Sequence, residues 1–323
     1  MADKKEKIFT SQFFFIFGAL FFTSLVMYIL MSPITEYTLN LGASVSIAGL
    51  ASGIYVIGGL VSLIYSGRAL QKWGWRMTAY VFMGIHLVAC LLYFMSISVE
   101  ILLIARFVHG IGMGAAGASI ITIGSSLFPK SRFGEAMGYF LLGTPLAVGI
   151  GPIIGNYLIL NVGAEACFVV SAVFALLALL CIFFVKIKQP EEDNSYDTRH
   201  KYSGIEKFFE IGAIPISVVA ALAGFGYIAI ISFCGVSAGE FNLEAAFDIF
   251  FIIYSIILMI ARPMGGKIQD KFGNWPVSLV PIALQAVGVF LLAVYPSFET
   301  VLISAVCTGL GFGTFYSIAN AIV

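Results

Sequence analysis

The chain has 323 residues, 60% of them apolar and only 11% charged, against about a quarter charged in an ordinary soluble domain. Such a chain cannot cover a water-facing surface, which excludes a soluble enzyme, a disulfide-stapled secreted module and a disordered protein. Seventeen basic residues balance seventeen acidic ones, so no basic excess points to nucleic acid.

At about 20 apolar residues per span, the apolar runs predict ten spans in chain order. They fall near 12–34, 45–66, 77–96, 100–123, 135–160, 165–186, 211–235, 243–264, 276–296 and 299–323. Strands of a barrel would show alternation over ~10 residues rather than runs of 20, so the spans are read as helices. The first run is too long for a cleavable signal. Cys90, Cys167, Cys181, Cys234 and Cys307 lie singly inside apolar runs, with no C-x-x-C pair and no zinc-type spacing to histidine, and read as small buried hydrophobes. No metal and no cofactor are expected, and no H-E-x-x-H, G-x-S-G or phosphate loop suggests an intramembrane enzyme.

The charges order these spans. Lys4, Lys5 and Lys7 precede the first, Arg68, Lys72 and Arg76 follow the second, and Lys130 and Arg132 follow the fourth. Lys186, Lys188, Arg199, Lys201 and Lys207 follow the sixth, and Arg262, Lys267 and Lys271 surround the end of the eighth. Sixteen of the 17 bases thus fall on one side, while the opposite loops carry Glu36, Glu100, Glu165, Glu240, Glu244 and Glu299. The positive-inside rule predicts a multi-pass protein of the cytoplasmic membrane with its N-terminus in the cytoplasm. A polar loop divides the spans, so the expected organisation is a six-helix half over 1–186, a linker over 187–210 and a four-helix half over 211–323. Within the linker, Ile205-Glu206-Lys207-Phe208-Phe209 has the pattern of a short amphipathic helix or of a disordered stretch.

The remaining base, Arg106, is six residues past Glu100, about 9 Å inside the outer surface at ~1.5 Å per residue. An ionisable group at that depth is a functional candidate by default. A guanidinium keeps its proton at working pH, so its role would be to tune a carboxylate or hold an anion. Glu36, at the outer end of the first span, and Asp248, in the first turns of the eighth, are the candidate carboxylates. His109 shares a face with Arg106, and His86 lies near the middle of the third span. Either histidine suits a proton relay or a plain interhelical hydrogen bond.

The chain also repeats itself. Gly67-Arg68-Ala69-Leu70-Gln71-Lys72-Trp73-Gly74 after the second span parallels Gly266-Lys267-Ile268-Gln269-Asp270-Lys271-Phe272-Gly273 after the eighth, 199 positions later. The same offset relates Glu100 to Glu299, Gly110 to Gly309, Gly112 to Gly311 and Gly114 to Gly313. A six-span unit followed by a related one predicts two parallel, pseudo-symmetric halves, a known transporter plan with its site between the halves.

On these residues the chain resembles the major facilitator superfamily over essentially its whole length, and within it the twelve-span drug:proton antiporters. The loop signature of that family matches at Gly266, Asp270 and Gly273, preceded by Arg262 and Pro263, and in the first half at Gly67 and Gly74, with Gln71 where an acid is expected. The fourth-span signature matches at Arg106, Gly110, Gly112 and Gly114. The antiporter motif of the fifth span matches at Gly138, Gly151, Pro152 and Gly155, with Ala147 and Asn156 in place of two glycines. The resemblance implies a major-facilitator-type bundle with about 10 of 12 helices present, and a chain truncated after the tenth span. It also implies that Arg106 faces a central cavity and takes part in proton coupling, and that the kink at Gly151–Pro152 marks an exporter. Gly67 and Gly266 are expected to let helices approach at a cytoplasmic end. Asp270 is expected against the positive N-terminal end of the fifth span near Ser131, Gly134 and Glu135, as a conformational latch. The function expected is proton-coupled export of a small organic molecule within the lipid bilayer. A metabolite importer or facilitator and a non-transporting fragment are the alternatives.

Overall fold

The structure is a computed structural model that describes residues 7–187, 211–241 and 243–322. Among them there is no strand. The helices are α1 (Ser11–Asn40), α2 (Val45–Leu92), α3 (Val99–Leu127), α4 (Phe133–Phe140), α5 (Gly143–Asn161), α6 (Ala164–Phe184), α7 (Ile214–Phe241), α8 (Glu244–Phe272), α9 (Asn274–Val294), α10 (Phe298–Thr308) and α11 (Thr314–Ile322). Of the expected linker, all but Ile187 lies outside the described residues, including residues 205–209.

Six stretches among the described residues are long and apolar enough to cross a membrane. Helix α2 has 48 residues and would be about 72 Å long if straight, more than twice the ~30 Å hydrocarbon core. It is two spans in one element, because Gly74 interrupts it at φ 78 and ψ 162. The boundary between α8 and α9 is made the same way by Gly273, at φ 81. Positions 74 and 273 are equivalent under the 199-residue offset. Only glycine adopts these torsions without a steric penalty, so the loop glycines at these two positions turn the chain. Gly67 does not provide the close helix approach expected of it, since a Cβ there would meet nothing within 4 Å. The tight approach in the second loop belongs to Gly265, whose Cβ would run into Thr314. Gly266 has no described side-chain environment.

The fifth span is interrupted at Leu141–Leu142, between α4 and α5. Helical backbone runs unbroken from Gly143 to Asn161, through the Gly151–Pro152 pair where the kink is expected. The tenth span is interrupted too, since Gly309–Gly313 form a π-helical turn between α10 and α11.

The described residues group into two compact units. One holds 9–127 and 146–187, and the other 7–8, 128–145, 211–241 and 243–322. In the first, Val26, Leu30 and Ile34 of α1, Ala51, Cys90 and Tyr93 of the second and third spans, Leu102 and Ala105 of α3, and Phe168 of α6 form one buried cluster. In the second, Phe250, Tyr254 and Leu258 of α8 pack with Val301 and Ala305 of α10. Large apolar side chains are nonetheless exposed along α2 and α6, among them Val56, Leu60, Leu180 and Phe183. That is the surface a lipid-facing helix presents and a water-facing one does not.

The repeat is visible in the contacts inside each unit. A Cβ on Gly110 would collide with the carbonyl of Tyr55, and one on Gly309 would lie 3.2 Å from that of Tyr254. A Cβ on Gly112 would lie 2.5 Å from the backbone nitrogen of His86, and one on Gly311 2.8 Å from that of Gln285. All four pairs obey the 199-residue offset.

Candidate functional site

In the first unit, Arg106 is 3% exposed on α3. Its Nε donates to the carbonyl of Ala51 at 2.9 Å, its Nη1 donates to the Tyr93 hydroxyl at 3.4 Å, and its guanidinium lies 4.6 Å from the centre of the Tyr55 ring. Hydrogen bonds to a charged group contribute about 1.5–3 kcal/mol each, and a desolvated cation–π contact about 2. The guanidinium is therefore held inside the unit rather than released to the headgroups. No ion pair joins it to a described carboxylate. The small residue at position 51 leaves its room. At the equivalent positions of the second unit the sizes are exchanged, with Phe250 opposite Ala305, both fully buried.

His109 is fully buried one turn beyond Arg106, with Nδ1 2.7 Å from the same Tyr93 hydroxyl. His86 stands 4.7 Å from it, ring centre to ring centre. Neither nitrogen of His86, nor Nε2 of His109, has a hydrogen-bond partner, so the bonded path from Arg106 through Tyr93 and His109 stops there. Cys90 completes a group with these histidines, all three buried. Tyr55, Tyr93 and Cys90 were not singled out from the sequence. The spacing of His86 and Cys90, one helical turn apart, was the only signal available, and His109 joins them from a different helix. Of the candidate carboxylates, Glu36 is half-buried near the end of α1, and Asp248 lies in α8 with its side chain outside the described residues.

In the second unit, Asp270 at the end of α8 accepts hydrogen bonds from the backbone nitrogens of Gly134 (2.8 Å) and Glu135 (3.1 Å) in the first turn of α4. Helix N-termini leave such N–H groups without intrahelical partners, and a carboxylate suits both the donors and the local positive potential. Glu135, 6% exposed, is bridged in turn by Arg132 at 2.8 Å and Lys267 at 3.1 Å. The carboxylate of Glu135 holds the Lys267 ammonium above the usual lysine range. Further along α8, Arg262 is 5% exposed and donates to the carbonyls of Leu141 (2.6 Å) and Gly313 (3.2 Å). Gly138 makes the approach possible, because a Cβ there would lie 2.6 Å from the Arg262 carbonyl oxygen. Gln71, the first-half counterpart of Asp270, is exposed.

Gly151 and Gly155 belong to the first unit. A Cβ on Gly151 would lie 2.5 Å from Cβ of Tyr28, and one on Gly155 would strike the carbonyl of Ile29, so both are packing contacts of α5 on α1. Nothing is described of the Pro152 side chain. The second unit also has an apolar groove of about 410 Å³, open to the outside and lined by Ile257, Met264, Phe272, Pro281 and Leu310.

Comparison with known proteins follows the same lines. The model of the Major Facilitator Superfamily matches residues 16–323. An uncharacterized MFS-type transporter of Methanocaldococcus jannaschii is 27% identical over 305 residues, 90% of this chain and 76% of that relative. Multidrug resistance protein 1 of Bacillus subtilis is 26% identical over 307 residues, 88% of this chain and 74% of its own. Multidrug resistance protein MdtL of Vibrio parahaemolyticus is 24% identical over 68% of this chain, which spans 57% of that relative's length. Among solved structures, the proton:xylose symporter XylE superposes with a TM-score of 0.72 at 14% identity, over 98% of this chain and 81% of its own. The human organic anion transporter MFSD10 gives 0.72 at 14%, over 97% and 85%. A match running from residue 16 onward, on a fold shared with such carriers, leaves one assignment: the chain belongs to the Major Facilitator Superfamily and has the architecture of a multi-pass membrane transporter, not of an enzyme.

Proposed function

We propose that this protein, in the cytoplasmic membrane with its N-terminus in the cytoplasm, exports a small, partly apolar organic molecule from the cytoplasm in exchange for protons, by alternating access. The observation that carries the reading is the Asp270 carboxylate on the N-terminus of α4, flanked by the Arg132–Glu135–Lys267 ion pairs. A contact made of a few partly exposed polar bonds holds one arrangement closed yet breaks at small cost, which is what a latch between two states needs. The buried Arg106, without a described carboxylate partner, supports coupling: Glu36 or Asp248 would carry the proton, and the guanidinium would favour the deprotonated form when the two approach. Similarity to multidrug resistance proteins of Bacillus subtilis and Vibrio parahaemolyticus supports the outward direction. The orientation rests on the one-sided distribution of Lys and Arg.

The test is accumulation of a panel of lipophilic fluorescent compounds in cells stripped of their own efflux pumps. Expression of this chain lowers accumulation of at least one compound, and a protonophore restores it. Accumulation that rises on expression would make the protein an importer. A lowering that survives collapse of the proton gradient would remove proton coupling.

A further inference from the structure

The group formed by His86, Cys90 and His109 takes no part in the latch, and ordinary core packing does not account for it. Its ligand-type atoms all lie within 4.8 Å of one another, and each of the three residues is fully buried. His86 and Cys90 sit one turn apart on α2 and so share a face, while His109 reaches across from α3. The tight contact of Gly112 with the His86 backbone nitrogen fixes the separation of the two helices at this level.

Three nitrogens in the group, both of His86 and Nε2 of His109, lack any hydrogen-bond partner. Buried polar atoms normally find one, and an unpaired atom lowers stability. The second half shows that the fold does not require these residues. Under the 199-residue offset, His86, Cys90 and His109 correspond to Gln285, Val289 and Thr308. There Gln285 donates its side-chain amide to the carbonyl of Ala223. The same place in the scaffold is thus filled without a ligand set, and the first half has three ligand residues where packing asks for none.

We propose that His86, Cys90 and His109 bind a thiophilic monovalent d10 cation of the Cu+ or Ag+ class. His109 is already oriented for it. With its Nδ1 proton donated to the Tyr93 oxygen, which also receives Arg106, Nε2 is left as a free lone pair. A bond from the second ring nitrogen to a protein oxygen is the usual support of a ligating histidine. Charge selects the ion. Binding displaces the Cys90 thiol proton to solvent, so a monovalent cation with one thiolate and two neutral imidazoles is neutral overall. A divalent ion would leave a net positive charge in the low-dielectric interior beside Arg106, with no described carboxylate to balance it. Soft sulfur and imidazole ligands favour the same class. Bonds of about 2.0–2.1 Å to nitrogen and about 2.3 Å to sulfur place ligand atoms roughly 3.3–3.8 Å apart, so side-chain rotations of about 1 Å close the set on the ion.

The inference does not depend on the transport reading, because binding is measured at equilibrium on the purified full chain. Under anaerobic conditions the protein is titrated with Cu+ against the chromophoric chelator bicinchoninate, and the bound ion is examined by X-ray absorption. The expected result is one tight equivalent per chain, coordinated by one sulfur and two nitrogens. His86→Gln, Cys90→Val and His109→Thr, which copy the residues of the second half, each weaken it at least tenfold while the thermal midpoint stays near wild type. Replacing Cys167, Cys181, Cys234 and Cys307 together by alanine leaves the tight equivalent in place. Absence of a tight equivalent in the wild type, or its persistence in Cys90→Val, overturns the proposal. Zn2+ held by the same residues in preference to Cu+ overturns the charge argument and with it the assignment of the ion.

Discussion

Replacing Asp270 by asparagine removes a charge and little else, and the structure sets the size of the effect. The carboxylate accepts two backbone hydrogen bonds, at 2.8 and 3.1 Å. Asparagine retains one carbonyl oxygen, so one bond survives as a neutral one and the other is lost. A hydrogen bond to a charged acceptor contributes about 1.5–3 kcal/mol when buried. Asp270 is exposed, which puts it at or below the lower end. The charge at a helix N-terminus adds roughly 0.3–1 kcal/mol. Relief of the repulsion between Asp270 and Glu135 offsets part of this, but Arg132 and Lys267 already neutralise Glu135. The net loss is about 1–2 kcal/mol, a factor of about 5–30 in the ratio of closed to open contact. Spin labels at the exposed Lys130 and Lys271 report that ratio as a distance distribution. The longer component should grow by that factor in Asp270→Asn and further in Asp270→Lys. A distribution that moves less than twofold in both variants would refute the latch.

Arg106→Lys keeps the charge but cannot span the Ala51 carbonyl, the Tyr93 hydroxyl and the Tyr55 face together. Proton-driven flux into inverted vesicles should fall at least tenfold with expression unchanged, and full flux would place Arg106 outside the mechanism. Gly110→Val drives a side chain into the Tyr55 carbonyl. Overpacking costs about 1–3 kcal/mol, seen as a lowered thermal midpoint in detergent, whereas Gly84→Ala, with nothing within 4 Å of the new Cβ, should hold or raise it. Glu100 and Glu299 open α3 and α10. There a carboxylate meets the free N–H groups and the positive potential of the first turn. Glu100→Gln and Glu299→Gln should each lower the melting temperature at neutral pH, and unchanged values would refute this contribution.

Hydropathy exposed the apolar spans because a bilayer demands about 20 apolar residues whatever their neighbours, and six such stretches stand among the described residues. The duplication was legible because equivalent glycines meet equivalent backbone atoms, so Gly110, Gly112 and their copies are constrained one by one. Other features depended on what lies across a contact. Nothing near Gly67 reveals that it faces open space while Gly265 is the close contact. The break at Leu141–Leu142 has no proline in it. The boundary expected at residue 186 follows sequence order, whereas the grouping of 128–145 with the later helices follows the contact of Gly138 with Arg262. Cys90 is buried, as its apolar surroundings imply, but its nearness to His109 was hidden because zinc-type spacing is a local pattern and His109 is 19 positions away.

The π-helical turn at Gly309–Gly313 has a consequence for how far the internal duplication extends. Positions 110–114 of the first half are α-helical, so the same five-residue stretch with glycine at alternate positions is wound differently in the two copies. A π turn closes i to i+5 and underwinds the helix. Phe315 and Ile318 past the turn are nonetheless buried like Ala116 and Ser119, their counterparts in the first copy. The turn absorbs the difference in winding, so the second copy carries larger side chains at the same inward positions.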